Sequence, residues 1–159
     1  MNDSRTYLHK GTIVTLESGD IYEITGAPVG RGGGSVIYPV ERLTLQQGQM
    51  VRGGIYYVLK ECYPVSSVHS FMRDNNGEIR PVSGSPDALD CLSKVKEMQL
   101  AEKEVTQQIY RTGSRLLPIL DSSSTAQLAF GDRTAAVHNV YTVMESLASK
   151  GRSLSDCME

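Results

Sequence analysis
The stretch VGRGGGSVIYPVE, Val29 to Glu41, sets four glycines among the five positions from Gly30 to Gly34, then turns abruptly to apolar and β-branched residues. Glycine loses more backbone freedom on ordering than any other residue, so such a cluster needs a reason. A glycine-rich turn that opened a helix would point to a dinucleotide fold, with phosphate resting on the helix N-terminus. Here the following run, SVIYPVERL from Ser35 to Leu43, has the composition of a strand in which Pro39 marks an edge or a bulge. The glycines therefore lie between two strands. Two readings stand: a hairpin turn, or a flap whose bare amides approach an anion.

Upstream, TIVTL and DIYEI alternate apolar and polar residues around ESGD, which predicts a β-hairpin between Thr12 and Val29. Downstream, QQGQMVRGG (46–54) reads as a polar loop, and IYYVLKECY (55–63) as a strand that carries Lys60 among apolar neighbours. Pro64 to Gly84 has no sustained period and contains Asn75-Asn76-Gly77, so it reads as a long loop or an insertion. The clear helix is Asp87 to Tyr110, about 36 Å at 1.5 Å per residue. Ser85 can cap it, Pro86 suits its first position, Asp87 complements its dipole and Gly113 fits a stop. Two further strands follow, RLLPILDSSS (115–124) and AAVHNVYTVMESL (135–147), joined by a loop around FGDRT. Strands, one long helix, then strands is an α+β order, and the absence of βαβ repetition counts against a doubly wound sheet.

The totals narrow the function classes. A chain of 159 residues suits one domain, and 40% hydrophobic with 21% charged residues is a globular composition. A net charge of -2 gives no basic excess, so nucleic acid is not an expected partner. No apolar run is long enough to span a bilayer in this segment, and MNDSRTYLHK lacks the pattern of a signal peptide. Cys62, Cys91 and Cys157 have no paired spacing, which fits small hydrophobes in a reduced, cytoplasmic setting. His9, His69 and His138 form no ligand spacing, so a zinc site is not expected.

Lys60 is the residue that demands a partner, because a lysine inside an apolar strand is costly unless its charge is met. The helix offers one. Its apolar stripe runs Leu92, Val95, Met98, Val105, Ile109, and Glu102 falls in the gap of seven. Glu104 is the rival, but Glu97, Leu100, Gln107 and Gln108 give it a mostly polar face.

These pieces, in this order, resemble the N-terminal lobe of a eukaryotic-like (bacterial-type) serine/threonine protein kinase. GRGGGSVI is similar to the family's G-x-G-x-x-G-x-V loop, with Ser35 in place of the third glycine and Ile37 in place of the valine. YYVLKE is similar to V-A-I-K, with Val58 in the alanine position and Lys60 as the lysine. YTVMESL resembles the hinge, with Met144 as gatekeeper, the backbone of Glu145 and Leu147 facing adenine, and Asp156 on the helix that opens a second lobe.

The resemblance implies an α+β fold: a twisted antiparallel sheet of about five strands, one long helix and an extra N-terminal hairpin strand. It implies that residues 1–159 run through the hinge and into the next helix. It further implies ATP binding. The backbone of Gly30, Arg31, Gly32, Gly33, Gly34 and Ser35 would cover the phosphates, and Val29, Ile37 and Val58 would pack on adenine. Lys60, positioned by Glu102, would hold the α- and β-phosphates. No H-R-D-x-x-x-x-N and no D-F-G occur in the chain. The Mg2+ ligands are thus expected only in a C-terminal lobe that this chain lacks, and transfer from ATP to the hydroxyl of a protein substrate belongs to a full-length parent. The fragment alone is expected to be inactive, and its uncovered apolar underside to favour self-association. The alternative is a pseudokinase-like nucleotide-binding or protein-interaction module, for which the Pro64–Gly84 segment would suit docking.

Overall fold
The alternation in IVTL and IYEI forms the hairpin it calls for, Ile13–Leu16 (β1) and Ile21–Ile24 (β2), with Val14, Leu16, Tyr22 and Ile24 buried on one face. The computed structural model describes residues 5–111 and 119–145, with side chains described for 5–102 and 119–145. Gly30–Arg31 (β3) pairs with the start of Ser35–Gln46 (β4), so the glycines do turn between two strands, and no helix follows Ser35.

The polar stretch expected to be a loop is instead the tip of a long arm. β4 runs on to Gln46 and Gln49–Cys62 (β5) begins directly after a two-residue turn. Gln47 and Gly48 have φ of 53° and 79°, the left-handed pair that matches the twist of a hairpin. Phe71–Arg73 (β6) and Ile79–Pro81 (β7) form a small second sheet, followed by the helix Pro86–Arg111 (α1). Ile119–Phe130 (β8) and Arg133–Glu145 (β9) form a further hairpin across Gly131 and Asp132.

The expected kinase-like lobe of about five strands with an appended hairpin does not describe this chain. The structure is mostly β, with a seven-stranded sheet in the order β2-β1-β8-β9-β5-β4-β3. The N-terminal hairpin is built into it: Val14 pairs with Leu128 on one side, and Ile24 pairs with Val40 on the other. Because β2 also pairs with β4, the sheet closes on itself as a ring. Closure satisfies the strand edges that an open sheet would leave bare.

The ring is filled by Val14, Ile24, Val36, Tyr38, Val40, Leu59, Leu128, Val137, Tyr141 and Val143, all under 2% exposed. Each large apolar side chain buried there contributes about 1.5–3 kcal/mol. One end of the filling is polar. Glu61 has no exposure, and Arg73 of β6 reaches it with hydrogen bonds of 2.9 and 2.6 Å. The hydroxyls of Tyr38 and Tyr141 donate to the same carboxylate, and Arg73 stacks over Tyr63 at 5.3 Å. The segment read as a loop or insertion thus contains a hairpin whose arginine closes one end of the ring. Gly77 forms its turn, with φ at +92°.

Helix α1 lies outside the ring against β5, β8 and β9. Ser85 caps it through the Ala88 amide. Its inward stripe is Ala88, Leu92, Val95, Gln99 and Glu102, with Ala88, Leu92 and Gln99 buried. Met98, expected on that stripe, is 69% exposed. The polar Gln99 takes the inward position because its carboxamide donates to the carbonyls of Lys60 and Val140 and to Thr142 Oγ1. The stripe positions Val105 and Ile109 carry no described side chain.

Candidate functional site
Strand pleating alternates side chains across the sheet, and on β5 this separates two neighbours completely. Glu61 goes into the ring, while Lys60 goes out, beneath helix α1. There Lys60 Nζ meets both oxygens of Glu102, at 2.9 and 2.7 Å. The lysine side chain is 18% exposed and the glutamate 41%. Glu102 is thus the carboxylate that reaches Lys60; the side chain of Glu104 lies outside the described residues.

The glycine turn belongs to the same place. A cleft of about 310 Å³ is lined by Gly32, Gly34, Ser35, Lys60, Val95, Met98, Gln99 and Glu102. The packing demands on the four glycines differ. A Cβ on Gly34 would stand 3.3 Å from Val95 Cγ1, and one on Gly30 would touch Ile37. At Gly32 and Gly33 nothing lies within 4 Å and φ is not positive, so neither packing nor backbone geometry requires glycine there.

The turn is held by its carbonyls. Tyr63 N donates to Gly34 O and Val65 N to Gly33 O, while Gly32 N donates to Ser35 O. Arg5 Nη1 donates to the carbonyls of Gly32, Ser35 and Tyr63. The amides of Gly33 and Gly34 have no hydrogen-bond partner among the described residues. Arg31 leaves the turn for Tyr7, whose hydroxyl it meets at 3.0 Å and whose ring lies 5.9 Å away.

Beside the cleft the outer face of the sheet carries four half-buried apolar residues, Ile37, Pro39, Val58 and Met144, around Lys60 and the buried Thr142. Ile37, Lys60 and Thr142 pair in one row, and Pro39, Val58 and Met144 in the next. Val29 stands 55% exposed before the turn. Glu145 ends β9 opposite Tyr57. Leu147 and Asp156 lie outside the described residues. The structure therefore gathers Gly32, Gly34, Ser35, Lys60 and Glu102 at one cleft, and sets Ile37, Val58 and Met144 next to it.

Sequence reasoning missed two participants, Gln99 and Arg5, and with them the buried Glu61 on the other side of the sheet. Gln99 sits on the helical stripe, but its polarity argued for solvent. Glu61 was hidden by standing next to Lys60. Arg5 precedes every motif and has no local signal at all. Cys62, on β5, is buried and burial pushes its thiol up to about 12, so it stays protonated and inert. Among the described residues, no group of three or more His, Cys, Asp or Glu is placed to hold a metal ion, and no helix is long and apolar enough to cross a membrane. Comparison with family models, with curated proteins and with solved structures finds no match to this chain.

Proposed function
We propose that this chain binds the triphosphate of a nucleotide, ATP in the first instance, at the cleft between the glycine turn, Lys60 and Glu102. In a longer parent it would serve as the ATP-binding part of a protein serine/threonine kinase. The single observation that carries the reading is the convergence of Lys60, Glu102 and the glycine turn on one cleft. A half-buried lysine held by a carboxylate presents a fixed positive charge, and phosphate oxygens compete for that charge. Gly33, which packing does not require, and Gly34 have amides without a hydrogen-bond partner among the described residues, and these add donors that side chains would otherwise block. The row Pro39, Val58 and Met144 offers an apolar surface for a base.

Among the described residues that surface is only partly covered, so binding is expected near the millimolar range, about -4 kcal/mol. The test is a titration of the isotope-labelled chain with ATP, read by amide chemical shifts. Shifts should gather at Gly32 to Ser35 and Lys60, and Lys60→Met should remove them. Absent shifts, or the same shifts in K60M, would overturn the reading. A second reading, a protein-interaction module, draws on the arm of β4 and β5, where Leu45, Met50, Ile55 and Tyr56 are exposed.

A further inference from the structure
Arg5 belongs to no strand, yet one atom of its guanidinium, Nη1, holds three carbonyls: Gly32 at 2.8 Å, Tyr63 at 2.9 Å and Ser35 at 3.1 Å. Two of these are the ends of the glycine turn, and the third is the stretch after β5 on which the turn rests. Bonds from a charged donor are about twice as strong as neutral ones.

Peptide geometry gives these bonds a consequence. The described chain has no cis peptide, and in a trans peptide the carbonyl of one residue points opposite to the N–H of the next. Binding Gly32 O to Arg5 therefore turns the Gly33 N–H the other way. Binding Gly33 O to the Val65 amide does the same for the Gly34 N–H. The Gly33 and Gly34 amides, which have no partner among the described residues, are thus oriented by what grips the carbonyls behind them, Arg5 for the first and Val65 for the second.

We propose that Arg5 is a positioning residue for the glycine turn: it sets the Gly32–Gly33 peptide plane and so aims the Gly33 amide at a polyphosphate, beside the Gly34 amide whose plane the Val65 amide sets, and thereby controls affinity for the phosphates and not for the base. The effect on affinity rests on the nucleotide reading above. The effect on the turn does not. The segment around Arg5 is anchored separately, since the Thr6 amide donates to Tyr63 Oη, the Leu8 amide to Tyr38 Oη, and Arg73 Nε to Thr6 O. Truncating Arg5 therefore leaves that segment in place.

The experiment compares the full chain with Arg5→Ala and Arg5→Lys. Native-state amide exchange should quicken about tenfold at Gly32 and Val65 in R5A, and stay unchanged at Leu128 and Val137 in the β8–β9 hairpin. Affinity for inorganic tripolyphosphate should fall about tenfold in R5A while affinity for adenosine stays the same. R5K should recover part of both losses, because an ammonium replaces the charge but not the planar fork. Exchange and tripolyphosphate affinity both at wild-type values in R5A would overturn the proposal, as would an equal loss of adenosine binding. A wild-type chain that binds no tripolyphosphate overturns the nucleotide reading, and with it the effect on affinity; quickened exchange in R5A would still support the control of the turn.

Discussion

Lys60 and Glu61 are consecutive on β5, and their side chains serve opposite sides of one sheet. Lys60 reaches out to Glu102 of the helix at 2.7 Å, and Glu61 reaches in to Arg73 at 2.6 Å. The first pair is partly in solvent; the second is sealed, with Glu61 at 0% and Arg73 at 7% exposure. Two ion pairs of nearly equal length thus have different weights.

Glu61→Ala leaves a buried guanidinium and two buried phenols without their acceptor. Breaking a buried pair from one side costs about 3–5 kcal/mol. Lys60→Met removes a pair of the partly screened kind, for which about 1 kcal/mol is an upper figure. Urea denaturation of the two variants should give that ordering. A Lys60 variant that loses as much stability as the Glu61 variant would show that the outer pair is a fold element and not a ligand-facing one.

Gly33 and Gly77 make an opposite pair of glycines. Gly33 has open space and an ordinary φ, so Gly33→Ala should leave stability within about 0.5 kcal/mol of wild type. Its methyl group should nevertheless weaken ATP binding, if that amide faces phosphate. Gly77 has φ at +92°, and a Cβ there would stand 2.6 Å from Leu128 Cδ1. Gly77→Ala should cost about 2 kcal/mol or more, from backbone strain and the displaced leucine. Thermal melts of both variants check the contrast.

Alkaline pH should unfold the chain through its buried phenols. Burial, and then the Asp20 charge, pushes the Tyr22 hydroxyl up to about 12. Burial and then Glu61 raise Tyr38 and Tyr141 as well. A group whose pKa is higher folded than unfolded adds stability below its unfolded value, about 10 for tyrosine, and that stability drains away as pH rises past it. Loss of β circular dichroism should therefore fall between about pH 10 and 12. It should coincide with the last phenolate absorbance step; complete ionisation of all eight tyrosines before any loss of structure would contradict this.

Much of the local structure could be read from the residues. Alternation in IVTL and IYEI revealed the first hairpin, and Ser85 marked the start of α1. The glycine turn between strands, and the bond between Lys60 and Glu102, followed from period and from the cost of a bare buried charge. Ring closure could not be read, because the pairing of Val14 with Leu128 leaves no local trace. The long arm was hidden by its polar tip, where Gln47 adopts a positive φ that a non-glycine residue seldom takes. Met98 was misplaced and Gln99 overlooked for one reason: apolar spacing identifies a face, but three waiting acceptors decided which residue turned inward. The hairpin of Arg73 was missed because three-residue strands have too little length to show a period.

The pairing of β1 with β8 also constrains how the molecule comes into being. Val14 is made early and Leu128 late, so on the ribosome the opening hairpin must wait for its second neighbour. Until then β1 has one free margin, and the barrel interior stays open to water or to a neighbouring nascent chain. Contacts of such long sequence separation slow the search for the native state. The β8–β9 hairpin, which follows both of its sheet neighbours β1 and β5 in the chain, therefore acts as the latch that closes the ring, and its arrival rather than that of the helix ends the exposure of the ring's interior.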